Sequence, residues 1–248
     1  MNFDWSIYLQ LSPDGQHTYL QTILHGLGWT LATALSAWIM ALLLGAIIGT
    51  IRTTPIMWAV RLGNAYVELF RNIPLLVQMF LWFFVLPELL PTAAGDWLKQ
   101  LPHASFVTAV VCLGFFTSAR VAEQIRAGIL ALPQGQRMAG TALGLTLPQT
   151  YRYVLLPMAF RIIIPPLTSE FLNIIKNSAV ALTIGLIELT AAARSMQEFS
   201  FRVFEAFSAA TVVYILINII VVNGMRVLER KLQVPGFISI DGGIGAGH

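Results

Sequence analysis

Apolar residues run through this chain in long blocks, several of them long enough, at about 20 residues, to cross a bilayer as a helix. The first block spans residues 24–51, and His25 and a few Ser and Thr that can bond back to the helix are its main polar members. Arg52, Pro55 and Arg61 mark a short loop. A second block spans residues 62–86 with Glu68, Arg71, Asn72 and Gln78 inside it, and Pro87 and Pro91 close it. Residues 88–103 read as an aqueous loop with one interfacial turn near Trp97, and a third span covers residues 105–132. Hydrophobicity then falls over residues 133–157, where the pattern is amphipathic and Gly135, Gly140 and Gly144 stand as expected breaks around a short surface helix. The fourth span, residues 162–186, is the most polar, with Glu170, Asn173, Lys176 and Asn177, so it must face protein or water. A mixed segment follows over residues 187–205, then a fifth span at residues 207–228. Three parts result: an N-terminal segment 1–23, a membrane part 24–231, and a tail 232–248 expected to be disordered.

Composition agrees with burial in lipid. Of 248 residues, 56% are hydrophobic and 11% charged, against roughly 25% charged in an average soluble domain; the mean hydropathy is +0.73. The formal charge of +3 is spread along the chain, which argues against a nucleic-acid partner. Cys112 is the only cysteine, so neither an internal disulfide nor a cysteine-rich metal site is possible, and no metal is expected. The first 20 residues contain no Lys or Arg, unlike the basic start of a cleaved leader.

Positive residues fix an expected orientation. Arg52, Arg61, Arg137, Arg152, Arg161, Arg226, Arg230 and Lys231 fall on one side, and Lys99, Arg194 and Arg202 on the other. The N-terminus is therefore expected in the periplasm and the C-terminus in the cytoplasm. No internal repeat is visible, which argues mildly against an inverted-repeat secondary transporter.

The loop between the third and fourth spans reads GQRMAGTALGLTLPQTYRYVLLPMAFRIIIPP. Its spacing resembles the EAA loop of bacterial ABC-importer permeases: Met138, Ala139 and Gly140 take the EAA places, Gly144 the glycine, and Val154, Leu156 and Pro157 the end. The acidic residue of the motif is replaced by Met138. A short helix projecting from the bilayer gives a soluble ATPase something to push, and the small residues allow helices to turn and pack closely. The plainer reading is an amphipathic connector lying on the membrane surface.

ELFRNIPLLVQ (68–78), AEQIRAGILALPQGQ (122–136) and NIIKNSAVALTIGLIELT (173–190) further resemble the polar-amino-acid permeases, with the nearest likeness to glutamate/aspartate importers. The resemblance implies an all-α polytopic fold of about five transmembrane helices with a short cytoplasmic coupling helix. It implies a cytoplasmic ATP-binding subunit, a second permease subunit, and a periplasmic amino-acid-binding protein as partners. ATP is bound by the ATPase, since this chain has no GK[ST] glycine loop, and no cofactor is expected here.

Charges inside spans cost about 2.5–3.5 kcal/mol each on insertion scales, so they are paired or functional. Glu68 with Arg71, Arg120 with Glu123, and Glu123 with Arg126 have the i,i+3 spacing of pairs on one helix face. Arg120, near the middle of the third span where many of the similar permeases carry Tyr, offers a planar fork suited to carboxylates. Glu170, Asn173 and Asn177 share a helix face that could meet an ammonium and polar atoms, and Gln78 is a weaker candidate. The same face could instead pack against a partner permease. The expected function is translocation of an amino acid, glutamate or aspartate above others, across the inner membrane. An ion-coupled secondary transporter or channel, and a non-transporting scaffold for an ATPase, are the alternatives.

Overall fold

The computed structural model describes residues 4–232, so the tail expectation lies almost wholly outside the described residues. A 3-10 turn, Trp5–Leu9, precedes α1 (Tyr19–Ile51), α2 (Met57–Asn72), α3 (Leu75–Leu89), α4 (Thr92–Lys99), α5 (Ala104–Leu130), α6 (Gln134–Ala142), α7 (Leu147–Ile184), α8 (Leu189–Ser200) and α9 (Val203–Leu232). Helices α1, α5, α7 and α9 are long and apolar enough to cross a membrane, and α2 with α3 makes a fifth candidate as a bent pair. The all-α class and the span count match the sequence reading.

The core is built on close approach of α1 and α5. Ala34, Ala37, Ala41, Gly45 and Gly49 form a buried stripe on α1. A Cβ on Gly45 would stand 2.6 Å from Val121 Cγ1, and one on Gly49 would stand 2.7 Å from the Ala122 carbonyl oxygen. Lipid tails give no hydrophobic drive for helices to associate, so packing of small residues does this work. Successive contacts pair Met40 with Gly114, Gly45 with Val121 and Gly49 with Ile125. The two helices therefore run in the same direction, and Arg52, just past α1, arrives beside Glu123.

The second apolar block is not one helix. α2 and α3 meet at 101°, because Pro74 offers no N–H and holds Ile73 in an extended conformation (φ −95°, ψ 128°). Hydropathy reads both halves as apolar and cannot see the bend. The amide of Gln78 covers the break by donating to the carbonyls of Phe70 (2.8 Å) and Ile73 (2.9 Å).

Three further boundaries differ from expectation. Thr18 and Gln21 close a capping box that starts α1 at Tyr19 rather than residue 24. Gly135 and Gly140 lie inside α6, and of the three expected breaks only Gly144, at φ +73°, ends it. The fourth span begins at Leu147, fifteen residues before the apolar run, so Leu156 and Pro157, expected at the end of the loop, stand inside α7. A π-helical segment, Tyr151–Leu155, hands the Leu156 N–H to the Tyr151 carbonyl and accommodates Pro157 one residue later.

The mixed segment after the fourth span is ordered by Glu188. Its side chain is fully buried and caps α8, accepting from the Thr190 and Ala191 amides at 3.0 and 2.8 Å. The Tyr214 hydroxyl of α9 (3.1 Å) and the Thr30 hydroxyl of α1 (3.4 Å) donate to it as well. One carboxylate thus ties three helices. The N-terminal turn is anchored on the same side, where Tyr8 donates to the Glu205 carbonyl at 2.7 Å.

Candidate functional site: a charged cavity between α2, α5 and α7

Six ionisable side chains converge toward the end of the bundle where α1 stops. Arg52 follows α1, Arg71 comes from α2, Arg120, Glu123 and Arg126 recur every three residues along α5, and Glu170 comes from α7. Arg71, Arg120, Glu123, Gln124 and Glu170 line a cavity of about 360 Å³. The parallel packing of α1 on α5 and the bend after α2 bring these groups together.

Pairing around the cavity is loose. Arg120 Nη1 lies 4.0 Å from Glu170 Oε2, and Arg71 Nη1 lies 3.6 Å from Glu123 Oε1; both exceed hydrogen-bonding distance. The two arginine side chains are half exposed, whereas Glu170 is largely covered and its Oε2 is buried without a hydrogen-bond partner. Asn173 follows Glu170 by three residues and so lies on the same helix face. The Arg120 guanidinium stacks 4.7 Å above the Phe116 ring, which holds its fork at the cavity wall. Behind this wall Tyr66 bonds Ser118 at 2.6 Å, and Phe115 stacks on both Phe70 and Trp82.

The outer member of the cluster is held firmly. Arg52 Nη2 meets Glu123 Oε1 at 2.6 Å, and its Nε meets Asn64 Oδ1 at 2.7 Å. Arg126 stands 3.7 Å from Glu123 Oε2. One carboxylate therefore faces three guanidiniums.

Of the sequence-derived substrate residues, Arg120 and Glu170 face each other across the cavity and Asn173 stands beside Glu170. Asn177 sits one turn further on, where α7 tightens into its 3-10 end, and Gln78 is engaged at the helix break. The i,i+3 pairing expected along single helices is largely replaced by pairing between helices. Arg71 meets Glu123 rather than Glu68, which is exposed and has no ion pair among the described residues, and Arg120 meets Glu170 rather than Glu123. Lys176, the fourth span's one lysine, is exposed and also has no ion pair among the described residues. Gln124 escaped notice, although its place four residues after Arg120 puts it on the same helix face. Arg52 resembled an ordinary loop charge.

Below the cavity, α6 carries Ala139 together with Met138, which is exposed, and Gly140, which is buried. Leu143 just after it is exposed and apolar, as is Tyr153 at the start of α7. Gly140 packs on Thr150 so closely that a Cβ would lie 2.9 Å from Thr150 Cγ2. A separate hollow of about 540 Å³ lies along one face of α1 at Leu24, His25, Gly28, Trp29 and Ala32.

Comparison with known proteins bears on this arrangement. Residues 41–234 match the family described as binding-protein-dependent transport system inner membrane component. The chain is 48% identical over 239 residues to the glutamate/aspartate import permease protein GltJ of Escherichia coli (strain K12), covering 95% of this chain and 97% of that protein. It is 34% identical over 207 residues to a probable glutamine ABC transporter permease protein, GlnM, of Bacillus subtilis (strain 168), covering 82% and 90%. A crystal structure of an amino acid ABC transporter with histidines superposes with a TM-score of 0.77 at 29% identity, covering 93% of this chain and all of that one.

Proposed function

Because this chain belongs to the family of binding-protein-dependent transport system inner membrane components, and so is a multi-pass transmembrane subunit of an ABC amino-acid importer, we propose that its charged cavity receives an acidic amino acid. The observation that carries this reading is the cavity lined by two loosely paired arginines and two glutamates inside a bundle that is otherwise apolar. Glutamate and aspartate present two carboxylates and one ammonium. The forks of Arg120 and Arg71 suit the carboxylates, and the buried, unsatisfied Glu170 Oε2 suits the ammonium, with Asn173 on the same helix face. The 48% identity to a glutamate/aspartate import permease supports the same substrate class.

The chain is the membrane part of a machine whose ATPase is a separate chain, paired with a second permease subunit. In the proposed layout the ATPase docks on α6, around Met138, Ala139 and Gly140, with the Gly144 turn letting α6 fold back toward the bundle. A periplasmic binding protein delivers substrate at the opposite end. The N-terminus is then periplasmic and the C-terminus cytoplasmic, in line with the excess of Arg and Lys at the Arg52 end. Closure of the ATPases on ATP draws the α6 helices together and opens the cavity outward; hydrolysis resets it. ATP and the loaded binding protein must both favour the outward state, because a ligand shifts such an equilibrium only by its differential affinity.

Reconstitution of the assembled complex in vesicles tests the substrate assignment. Arg120→Ala is expected to lower glutamate and aspartate uptake at least about tenfold, as loss of a charge-assisted contact worth roughly 1.5–3 kcal/mol implies, while the subunits still co-purify. Undiminished uptake by this variant overturns the assignment.

A further inference from the structure

The two arginines that line the cavity are loosely held, and the one behind it is tightly held. Arg71 and Arg120 stand 3.6 and 4.0 Å from their carboxylates with side chains 51% and 41% exposed. Arg52 is 7% exposed and meets Glu123 Oε1 at 2.6 Å. Glu123 therefore stands to Arg71 as a substrate carboxylate would, with Oε1 3.6 Å from Nη1. An incoming carboxylate competes for Arg71 and, on taking it, leaves Glu123 to Arg52 and Arg126.

Arg52 leads toward the ATPase side. The next residue, Thr53, accepts at its carbonyl a 2.7 Å hydrogen bond from the Tyr151 hydroxyl, which also lies 3.0 Å from the Thr53 hydroxyl. Tyr151 is buried and opens the π-helical segment at the base of α7. Its neighbour Thr150, also buried, is the residue against which Gly140 of α6 packs. A continuous set of contacts thus runs from Glu123 through Arg52, Thr53, Tyr151 and Thr150 to Gly140. A partly buried ion pair is screened less by salt than an exposed one, a planar fork fixes its direction, and π-helical turns occur frequently at functional sites.

We infer that Glu123 is an internal counter-anion displaced from Arg71 by a substrate carboxylate, and that Arg52, Thr53 and Tyr151 are positioning residues transmitting this exchange to α6. The inference rests on the cavity being the substrate site and α6 the ATPase dock. It assigns the link between occupancy and hydrolysis to a bond network that no ligand touches beyond Glu123 and Arg71.

The test uses the full complex in proteoliposomes, with three readouts: basal ATPase activity, stimulation by glutamate-loaded binding protein, and radiolabelled glutamate taken up per ATP. Tyr151→Phe removes the hydroxyl and keeps the ring. It is expected to leave basal hydrolysis unchanged and to lower both stimulation and uptake per ATP by about fivefold or more, the low end of ordinary allosteric coupling. Arg52→Lys keeps the charge but loses the fork, and it carries the same expectation should Tyr151→Phe fail to assemble. The double variant Glu123→Gln with Tyr151→Phe is expected to couple no worse than Glu123→Gln alone, because both interrupt one chain. Wild-type stimulation in Tyr151→Phe and Arg52→Lys, or a double variant whose loss is the product of the two single losses, overturns the relay. A wild-type complex that does not respond to glutamate overturns the substrate assignment instead, and the relay with it.

Discussion

Among single residues, the buried polar groups divide by what surrounds them. Glu188 is fully used by the protein's own backbone and hydroxyls, whereas Gln78 donates at the helix break but leaves its Oε1 buried without a partner, and Arg71, Arg120 and Glu170 keep unfilled capacity. Glu188 is structural, and in the proposed function Arg71, Arg120 and Glu170 turn their remaining capacity toward the substrate. Glu188→Ala removes the cap of α8 and takes one hydrogen-bond partner from each of the Tyr214 and Thr30 hydroxyls, so it should destabilise the subunit by about 1–3 kcal/mol, seen as a lower melting temperature of the detergent-solubilised complex. Glu188→Gln retains an acceptor and should lose less than half of that; equal losses would show that the cap geometry contributes nothing. Neither pattern is legible in the sequence. Glu188 was simply one acidic residue in a mixed segment, and its partners Thr30 and Tyr214 lie 158 and 26 positions away.

For the helices, packing depends on which small residues meet a neighbour. Gly49→Leu forces a side chain into the Ala122 backbone and Ile125, an overpacking that costs typically about 1–3 kcal/mol. It should reduce recovery of folded complex on size exclusion. Gly28→Ala, whose added Cβ meets nothing, should be recovered like wild type. Gly144→Ala places a Cβ at φ +73°, so it should destabilise the α6–α7 turn by about 1 kcal/mol and lower stimulated ATPase more than basal ATPase. Equal loss of the two activities would separate the turn from coupling. Hydrophobic runs located α1, α5, α7 and α9, but they missed the bend at Pro74 and the true start of α7. Proline shows in a sequence as a possible break, yet α7 carries Pro157, Pro165 and Pro166 within it. At Pro157 the preceding π turn keeps the helix continuous, whereas at Pro74 the helix breaks and the Gln78 amide takes the freed carbonyls.

For the whole molecule, charges within spans must face protein or water, so the charged cavity needs cover that lipid does not give, and in the proposed function the second permease subunit supplies it. The proposed orientation is checked by fusing a fluorescent protein that matures only in the cytoplasm to the C-terminus. Bright cells are expected, and dark cells with normal expression would reverse the assignment of the two sides.

The amino-acid sequence by itself determined the all-α membrane class, the number of apolar blocks, the importer family and the loop that answers to a coupling helix. These follow from local properties: apolar length, which the bilayer thickness converts into spans, and motif spacing. Arg120 and Glu170 could be nominated because a charge in a span is costly and so is seldom idle. Only the tertiary structure decided that they face each other, that Arg71 pairs with Glu123 rather than Glu68, and that Arg52 stands behind both. Those pairings depend on the parallel contact of α1 with α5 and on the bend after α2, and each brings together residues far apart in the chain whose distances no local pattern encodes.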